Sequence, residues 1–138
     1  MTLLYADASA IVKRIREEPE SAALLAYVSG ADLISCDLVL AEVPRAILRA
    51  ISSNPALDPD GLGRRVTDVL NEIDLLPVEA ALLEAAGRFA EPSLRTLDAI
   101  HVAAALVVAP DAFVTYDIRQ AAAARLAGLR TVAPGDQL

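Results

Sequence analysis

Short apolar runs alternate along the chain with longer segments in which apolar residues recur at helical spacing. The short runs predict buried strands, because a strand covered on both faces is apolar throughout rather than at every second position. The predicted strands are 2–6, 32–36, 75–78, 112–115 and 130–132. The predicted helices are 8–16, 19–29, 38–51, 64–73, 79–90, 97–108 and 117–126.

The regular alternation of strands and helices determines the expected fold class. It favours an α/β architecture, a three-layer α/β/α sandwich with a central parallel sheet. At 138 residues the chain is expected to form a single domain, 1–138. Residues 52–63 are rich in Ser, Asn, Pro, Asp and Gly, which predicts the longest loop. Ligands of such folds bind beyond the carboxyl ends of the strands.

The segment that begins at Leu94 predicts a helix packed on several sides, because apolar residues occupy nearly every face. Thr96 is the expected N-cap, which places Asp98 in the first turn. Asp37 is expected to cap the long third helix, and Pro44 is expected to bend that helix.

Composition narrows the class of protein. No apolar run reaches the ~18 residues needed to span a bilayer, and the first residues lack the basic region of a signal peptide. We therefore expect a cytoplasmic protein without a membrane segment. Cys36 is the only cysteine, which excludes an internal disulfide and predicts a small buried side chain. The net charge of −7 argues against nucleic-acid binding through a broad basic face.

Four carboxylates stand out by position. Asp7 follows the first strand, Asp98 lies in the first turn of the apolar helix, and Asp117 follows the strand at 112–115. Glu42 lies on the long helix and could reach the same edge of the sheet. Carboxylates that face one another repel, and a hard divalent ion such as Mg²⁺ or Mn²⁺ relieves that repulsion. The pattern therefore predicts a metal site that could hydrolyse phosphoesters.

Each of these carboxylates also suits a structural role. Asp7 and Asp117 are placed to cap the helices that follow them, and Asp98 to interact with a helix dipole. Glu42 could form an ion pair with an arginine on its own helix. The sequence leaves these alternatives open.

Three further polar residues are candidates for supporting roles. His101, the only histidine, lies three residues after Asp98 and could orient it, act in proton transfer, or simply be packed. Ser9 and Thr115 could hydrogen-bond a ligand carboxylate or metal-bound water, or serve in ordinary caps and turns.

Taken together, the motifs resemble those of PIN domains and, more narrowly, of VapC toxins from bacterial toxin–antitoxin pairs. The resemblance covers essentially the whole chain in order and spacing. Its motifs are Asp7-Ala8-Ser9 after the opening strand, Glu42 on the long helix, Leu94-Arg95-Thr96-Leu97-Asp98-Ala99-Ile100-His101, and Thr115-Tyr116-Asp117.

The resemblance implies an α/β/α sandwich and metal-dependent endoribonuclease activity. It implies that Asp7, Glu42 and Asp98 bind Mg²⁺ or Mn²⁺, and that Asp117 completes the acidic set through water or a second ion. Ser9 and Thr115 match polar positions beside these ligands. His101 matches a common motif residue that is not a metal ligand.

The resemblance also implies partners: an RNA substrate, a second copy in a homodimer, and a small VapB-like antitoxin that blocks the site and binds operator DNA. We expect a dimer groove lined by Arg45, Arg49 or Arg95 to bind RNA despite the acidic composition.

Two other classes remain as alternatives. One is a catalytically silent PIN-like module that binds proteins. The other is a receiver-type phosphoacceptor, which needs a lysine at the end of a late strand. That class is disfavoured because Lys13, the only lysine, lies in the first predicted helix.

Overall fold

The computed structural model describes residues 1–136. Over these residues strands and helices alternate as the sequence predicts. The strands are β1 Leu3–Ala6, β2 Asp32–Cys36, β3 Asp74–Leu76, β4 Ala112–Val114 and β5 Thr131–Val132. The helices are α1 Ala8–Ile15, α2 Ser21–Val28, α3 Val39–Ser53, α4 Pro59–Asn71, α5 Ala80–Gly87, α6 Thr96–Val108 and α7 Ile118–Leu126.

The strands form one parallel sheet in the order β3-β2-β1-β4-β5. At the centre, Tyr5 of β1 lies opposite Ile34 of β2 on one side and Phe113 of β4 on the other. After β1, the polypeptide adds β2 and β3 on one side of β1, and later β4 and β5 on its other side. The strand order therefore reverses between β1 and β4, which is where such sheets place their ligands.

Consecutive residues of β1 point to opposite faces of the sheet and into two different cores. Leu4 packs in a cluster with Ile11 of α1 and Val43 of α3. Tyr5 belongs to a second cluster with Phe113 and with Ala104 of α6. Leu4 and Tyr5 are both completely buried. Helices therefore cover the sheet on both faces, which confirms the predicted α/β/α sandwich.

Helix α6 is buried over seven consecutive residues, Ala99 to Ala105. It contacts α5, α7 and β2, so the prediction of a helix packed on several sides is confirmed. The alanines at 103–105 allow the close approach of these neighbours. A larger side chain there would overpack the core, at a cost of roughly 1–3 kcal/mol.

Two predicted helix caps are wrong. Arg95 is the N-cap of α6, without a side-chain capping bond, and Thr96 is the first residue of the helix. Leu38 is the N-cap of α3. The carboxylate of Asp37 instead accepts a hydrogen bond from the backbone N–H of Val78, at 3.3 Å. Asp37 therefore ties the end of β2 to the segment after β3 rather than capping α3.

The predicted loop at 52–63 is mostly helical, which is a second correction. Helix α3 continues through Ser53, unbroken past Pro44, and α4 already begins at Pro59. Proline suits a first helical position because its missing N–H would have no partner there. Gly61 is accommodated in α4, where a Cβ would collide with the carboxylate of Asp58. Across residues 1–136, no helix combines the length and apolar character required to cross a membrane.

Candidate active site

Asp7 is fixed at the start of α1 by three hydrogen bonds. Its Oδ1 accepts from the backbone N–H of Ala10 at 3.2 Å and from the hydroxyl of Ser9 at 2.6 Å. Its Oδ2 accepts from the hydroxyl of Thr115 at 2.5 Å. Burial raises the pKa of Asp7 above its usual value, although the bonds from Ser9 and Thr115 act to lower it. The capping role foreseen for Asp7 is therefore real, and it fixes a buried carboxylate at the end of β1.

Ser9 and Thr115 connect the ends of β1 and β4 around Asp7. The Ser9 hydroxyl oxygen accepts from the backbone N–H of Tyr116 at 2.9 Å and lies 3.3 Å from the Thr115 hydroxyl. The Thr115 oxygen accepts from the backbone N–H of Asp117 at 3.1 Å. The sequence leaves several roles open for Ser9 and Thr115, and in the structure both side chains hydrogen-bond a carboxylate, that of Asp7.

Glu42, Asp98 and Asp117 line one cavity of about 650 Å³ beyond the strand ends. The pKa of Asp98 is raised by burial, and the charges of Asp117 and Glu42 raise it further, while His101 and Arg95 oppose the shift. Negative charge is therefore concentrated where these side chains face one another, and it is only partly offset by His101 and Arg95. Asp117 lines the cavity and also caps α7, because its Oδ1 accepts from the backbone N–H of Gln120 at 3.0 Å.

Glu42 is held by His101 rather than by an arginine of its own helix. Its Oε1 lies 2.6 Å from Nε2 of His101. Of the roles left open for His101, orienting Asp98 is not the one seen, because Nε2 of the imidazole contacts Glu42 instead. The His101 side chain is buried, so its ring nitrogen needs a polar partner, and Glu42 supplies one.

Tyr5 is the site residue that sequence reasoning missed. Its hydroxyl lies 2.7 Å from Nδ1 of His101, and Sγ of Cys36 lies 3.7 Å from the same nitrogen. A tyrosine in a buried strand needs a partner for its hydroxyl, and that was the available signal. Burial lowers the pKa of His101, but its bonds to Cys36 and Glu42 outweigh this and raise the pKa above 6.5. Cys36 is buried and free, as the sequence predicted.

A second cavity of about 650 Å³ adjoins the first and shares Glu42, Leu97 and Tyr116 with it. Arg45 and Arg49 of α3 line this second cavity. Arg95 and Arg119 line the first. Cationic side chains thus occur on both sides of the carboxylates.

Lys13 also lines the second cavity, but its charge is already paired. Its Nζ lies 2.9 Å from a carboxylate oxygen of Glu20 and 3.3 Å from one of Glu18. It belongs to the last turn of α1 and does not follow a late strand, so the requirement of a receiver-type phosphoacceptor is not met.

The donor chemistry of the site fits a hard divalent cation. All candidate ligands are carboxylate oxygens, which Mg²⁺ and Mn²⁺ prefer, and mutual repulsion of three carboxylates is what a cation would relieve. Nevertheless, in the described part of the chain no three His, Cys, Asp or Glu side chains converge closely enough to hold an ion as they stand. Asp7 is held by its own hydrogen bonds and Glu42 by His101. The carboxylates would therefore have to come closer together to bind an ion.

Comparison with known proteins places this arrangement in a family. The chain is 41% identical over 89 residues to Ribonuclease VapC46 of Mycobacterium tuberculosis. The match spans 63% of this chain and 62% of that protein, so less than two thirds of the relative's length is matched.

Solved structures share the fold at low sequence identity. The VapC20 toxin of Mycobacterium tuberculosis, described as cleaving the sarcin-ricin loop, matches with a TM-score of 0.71 and 16% identity, over 95% of this chain and 99% of that one. PAE2754 of Pyrobaculum aerophilum matches with a TM-score of 0.67 and 19% identity, over 95% and 84% of the two chains. VapBC2 of Rickettsia felis, solved with a promoter DNA fragment, matches with a TM-score of 0.61 and 14% identity, over 95% and 98%.

The PIN domain profile matches residues 4–126, which include every candidate site residue. On that match, and with a parallel sheet that places carboxylates at its reversal point, the chain belongs to the PIN domain family.

Proposed function

We propose that this chain is a metal-dependent endoribonuclease, the toxin of a VapBC-type toxin–antitoxin pair. The observation that carries the proposal is the cavity at the strand ends that Glu42, Asp98 and Asp117 face together. The similarity to Ribonuclease VapC46 supports the choice of RNA as substrate.

Asp7, Glu42 and Asp98 would hold Mg²⁺ or Mn²⁺, and Asp117 would complete the set directly, through water or with a second ion. When bound, such a dication stabilises the charge of phosphodiester hydrolysis and supplies an activated water. The hydrogen bonds from Ser9 and Thr115 keep the buried Asp7 carboxylate at the end of β1.

Arginines on either side of the carboxylates would bind the phosphate backbone. Arg45 and Arg49 lie on one side, and Arg95 and Arg119 on the other. Guanidinium groups recognise phosphate in a planar, bidentate manner. A few such contacts allow RNA binding by a chain whose net charge is −7.

We also infer a cytoplasmic homodimer and a VapB-like antitoxin that covers the site and binds operator DNA. The similarity to a VapC protein supports the antitoxin. The shared fold of VapBC2, solved with promoter DNA, is in keeping with it.

RNA cleavage with and without divalent metal tests the proposal. Wild-type protein should cleave RNA with Mg²⁺ or Mn²⁺, EDTA should abolish cleavage, and Asp98→Asn should be inactive. Asp68→Asn, an exposed aspartate on α4, is the matched control and should behave as wild type. Equal activity of wild type and Asp98→Asn, or cleavage that EDTA does not reduce, would contradict the proposal.

The alternative is a catalytically silent PIN-like module that binds proteins. It is favoured by the absence, within residues 1–136, of three side chains already gathered around one point for a metal. Calorimetric titration with Mn²⁺ separates the two: the nuclease binds the ion, and the silent module does not.

A further inference from the structure

A chain of hydrogen bonds leads from the centre of the sheet to the candidate site. The Tyr5 hydroxyl lies 2.7 Å from Nδ1 of His101, and Nε2 of His101 lies 2.6 Å from Oε1 of Glu42. Tyr5 is fully buried and His101 is 2% exposed, whereas Glu42 reaches the cavity. These two hydrogen bonds thus connect strand β1 to a carboxylate at the site.

The geometry determines which ring nitrogen of His101 carries a proton. An ionised carboxylate only accepts hydrogen bonds, so Nε2 must be the donor to Glu42. Burial raises the pKa of the Tyr5 hydroxyl, which therefore keeps its own proton and can donate to Nδ1. If the ring is an imidazolium with a proton on each nitrogen, Nδ1–H donates to the Tyr5 oxygen and Nε2–H still donates to Glu42. In both states the bond to Glu42 is preserved.

The surroundings of the ring explain why it holds one orientation. His101 is buried against Tyr5 and Cys36, which belong to an apolar cluster with Phe113, and an unpaired polar atom would be costly there. The Tyr5 ring meets the imidazole edge to face and stacks on Phe113. A hydrophobic side chain would fill the same space, but it could not donate a hydrogen bond to Glu42.

We propose that His101 is a positioning residue, whose Nε2–H fixes the Glu42 carboxylate and which is itself fixed by the Tyr5 hydroxyl. This rests on the proposed function, because Glu42 is the group positioned for the metal. Only Oε1 of Glu42 takes part in the bond, and within the described residues Oε2 makes no hydrogen bond. One carboxylate oxygen is therefore held while the other remains for the cation.

The first test is the protonation pattern of the imidazole in metal-free protein, read by long-range ¹H–¹⁵N correlation spectroscopy. His101 is the only histidine in the chain, so its signals need no assignment. We expect a protonated Nε2 whose signal shifts in Glu42→Gln. A neutral ring protonated at Nδ1 alone would overturn the proposal. This reading does not depend on nuclease activity, so it stands even if the proposed function fails.

The second test compares two amides at position 101. In His101→Gln the side-chain nitrogen reaches about where Nε2 lies, so it can donate to Glu42. In His101→Asn the nitrogen lies nearer to the Nδ1 position and cannot. Outer hydrogen-bond partners of metal ligands contribute about 10–100-fold to affinity or activity. We expect His101→Asn to lose about that much in Mn²⁺ affinity and kcat, and His101→Gln to retain most of both.

Circular dichroism and thermal melting establish that both variants are folded. Equal losses in the two amide variants would assign His101 a packing role only, and unchanged Mn²⁺ affinity in both would remove its link to Glu42. Either result contradicts the proposal. If wild type itself neither binds Mn²⁺ nor cleaves RNA, the proposed function fails, and the imidazole spectrum still decides whether the bond to Glu42 exists.

Discussion

The Thr115 hydroxyl donates to Oδ2 of Asp7 across 2.5 Å, joining residues 108 positions apart in the sequence. Both residues directly follow neighbouring strands, β1 and β4. Each is almost fully buried, with 4% of Asp7 and 1% of Thr115 exposed. The bond therefore closes the reversal point of the sheet and holds a buried carboxylate at the candidate site.

Replacing Thr115 with Val should destabilise the protein by about 1–3 kcal/mol, because it removes the hydrogen bonds of the hydroxyl with the buried Asp7 carboxylate and with the backbone N–H of Asp117 while preserving the shape of the side chain. The free energy of unfolding in urea measures the change. The control is Thr131→Val, whose hydroxyl, among residues 1–136, accepts only from the exposed Arg125. If Thr115→Val and Thr131→Val lower the free energy of unfolding equally, the bond to Asp7 stabilises the protein no more than an exposed hydrogen bond does.

Tyr5→Phe should cost a similar amount, about 1–3 kcal/mol, because Nδ1 of the buried His101 loses its closest partner while the ring stacking on Phe113 remains. Chemical denaturation checks this. Tyr27→Phe on the exposed part of α2 is the matched control and should have little effect. A wild-type stability in Tyr5→Phe would show that the hydroxyl is not needed to fix the imidazole.

Asp98→Asn should raise the melting temperature of metal-free protein at pH 7. Burial, and then the charges of Asp117 and Glu42, raise the pKa of Asp98 in the folded state. The folded protein therefore binds this proton more tightly than the unfolded chain, and stability is lost as the pH rises from about 4 through the raised pKa. Asparagine carries no such charge, so the difference in melting temperature should vanish near pH 4.

Added Mn²⁺ should reverse that order at pH 7, because the ion stabilises only the protein that binds it. Asp68→Asn serves as control and should follow wild type throughout. A gap between wild type and Asp98→Asn that is the same at pH 4 and pH 7 would contradict the repulsion argument.

Arg45→Ala and Arg49→Ala should each weaken RNA binding and reduce the slope of log K against log salt by about 1. When one phosphate contact is lost, RNA binding releases fewer counterions, and the slope becomes shallower. Binding measured between low and moderate salt gives the slope, and Arg64→Ala on the exposed side of α4 is the control. Unchanged slopes in the two cavity variants would exclude this surface as the RNA path.

The sequence by itself determined the layer architecture and the candidate carboxylates. Alternating apolar runs and amphipathic segments predict strands and helices because local periodicity reflects burial. Asp7 comes directly after one strand and Asp117 shortly after another, and these positions are enough to place them at one edge of a parallel sheet. The prediction of a loop at 52–63 is wrong because Pro59 begins α4, and proline is favourable at a helix start.

Only the tertiary structure decided which groups meet. The strand order brings Asp7 beside Thr115, and the close packing of α6 on the sheet places His101 between Tyr5 and Glu42 rather than against Asp98. These contacts join residues 59 to 108 positions apart. Local propensity carries no information on such separations, because partner and orientation depend on how the sheet and helices pack together.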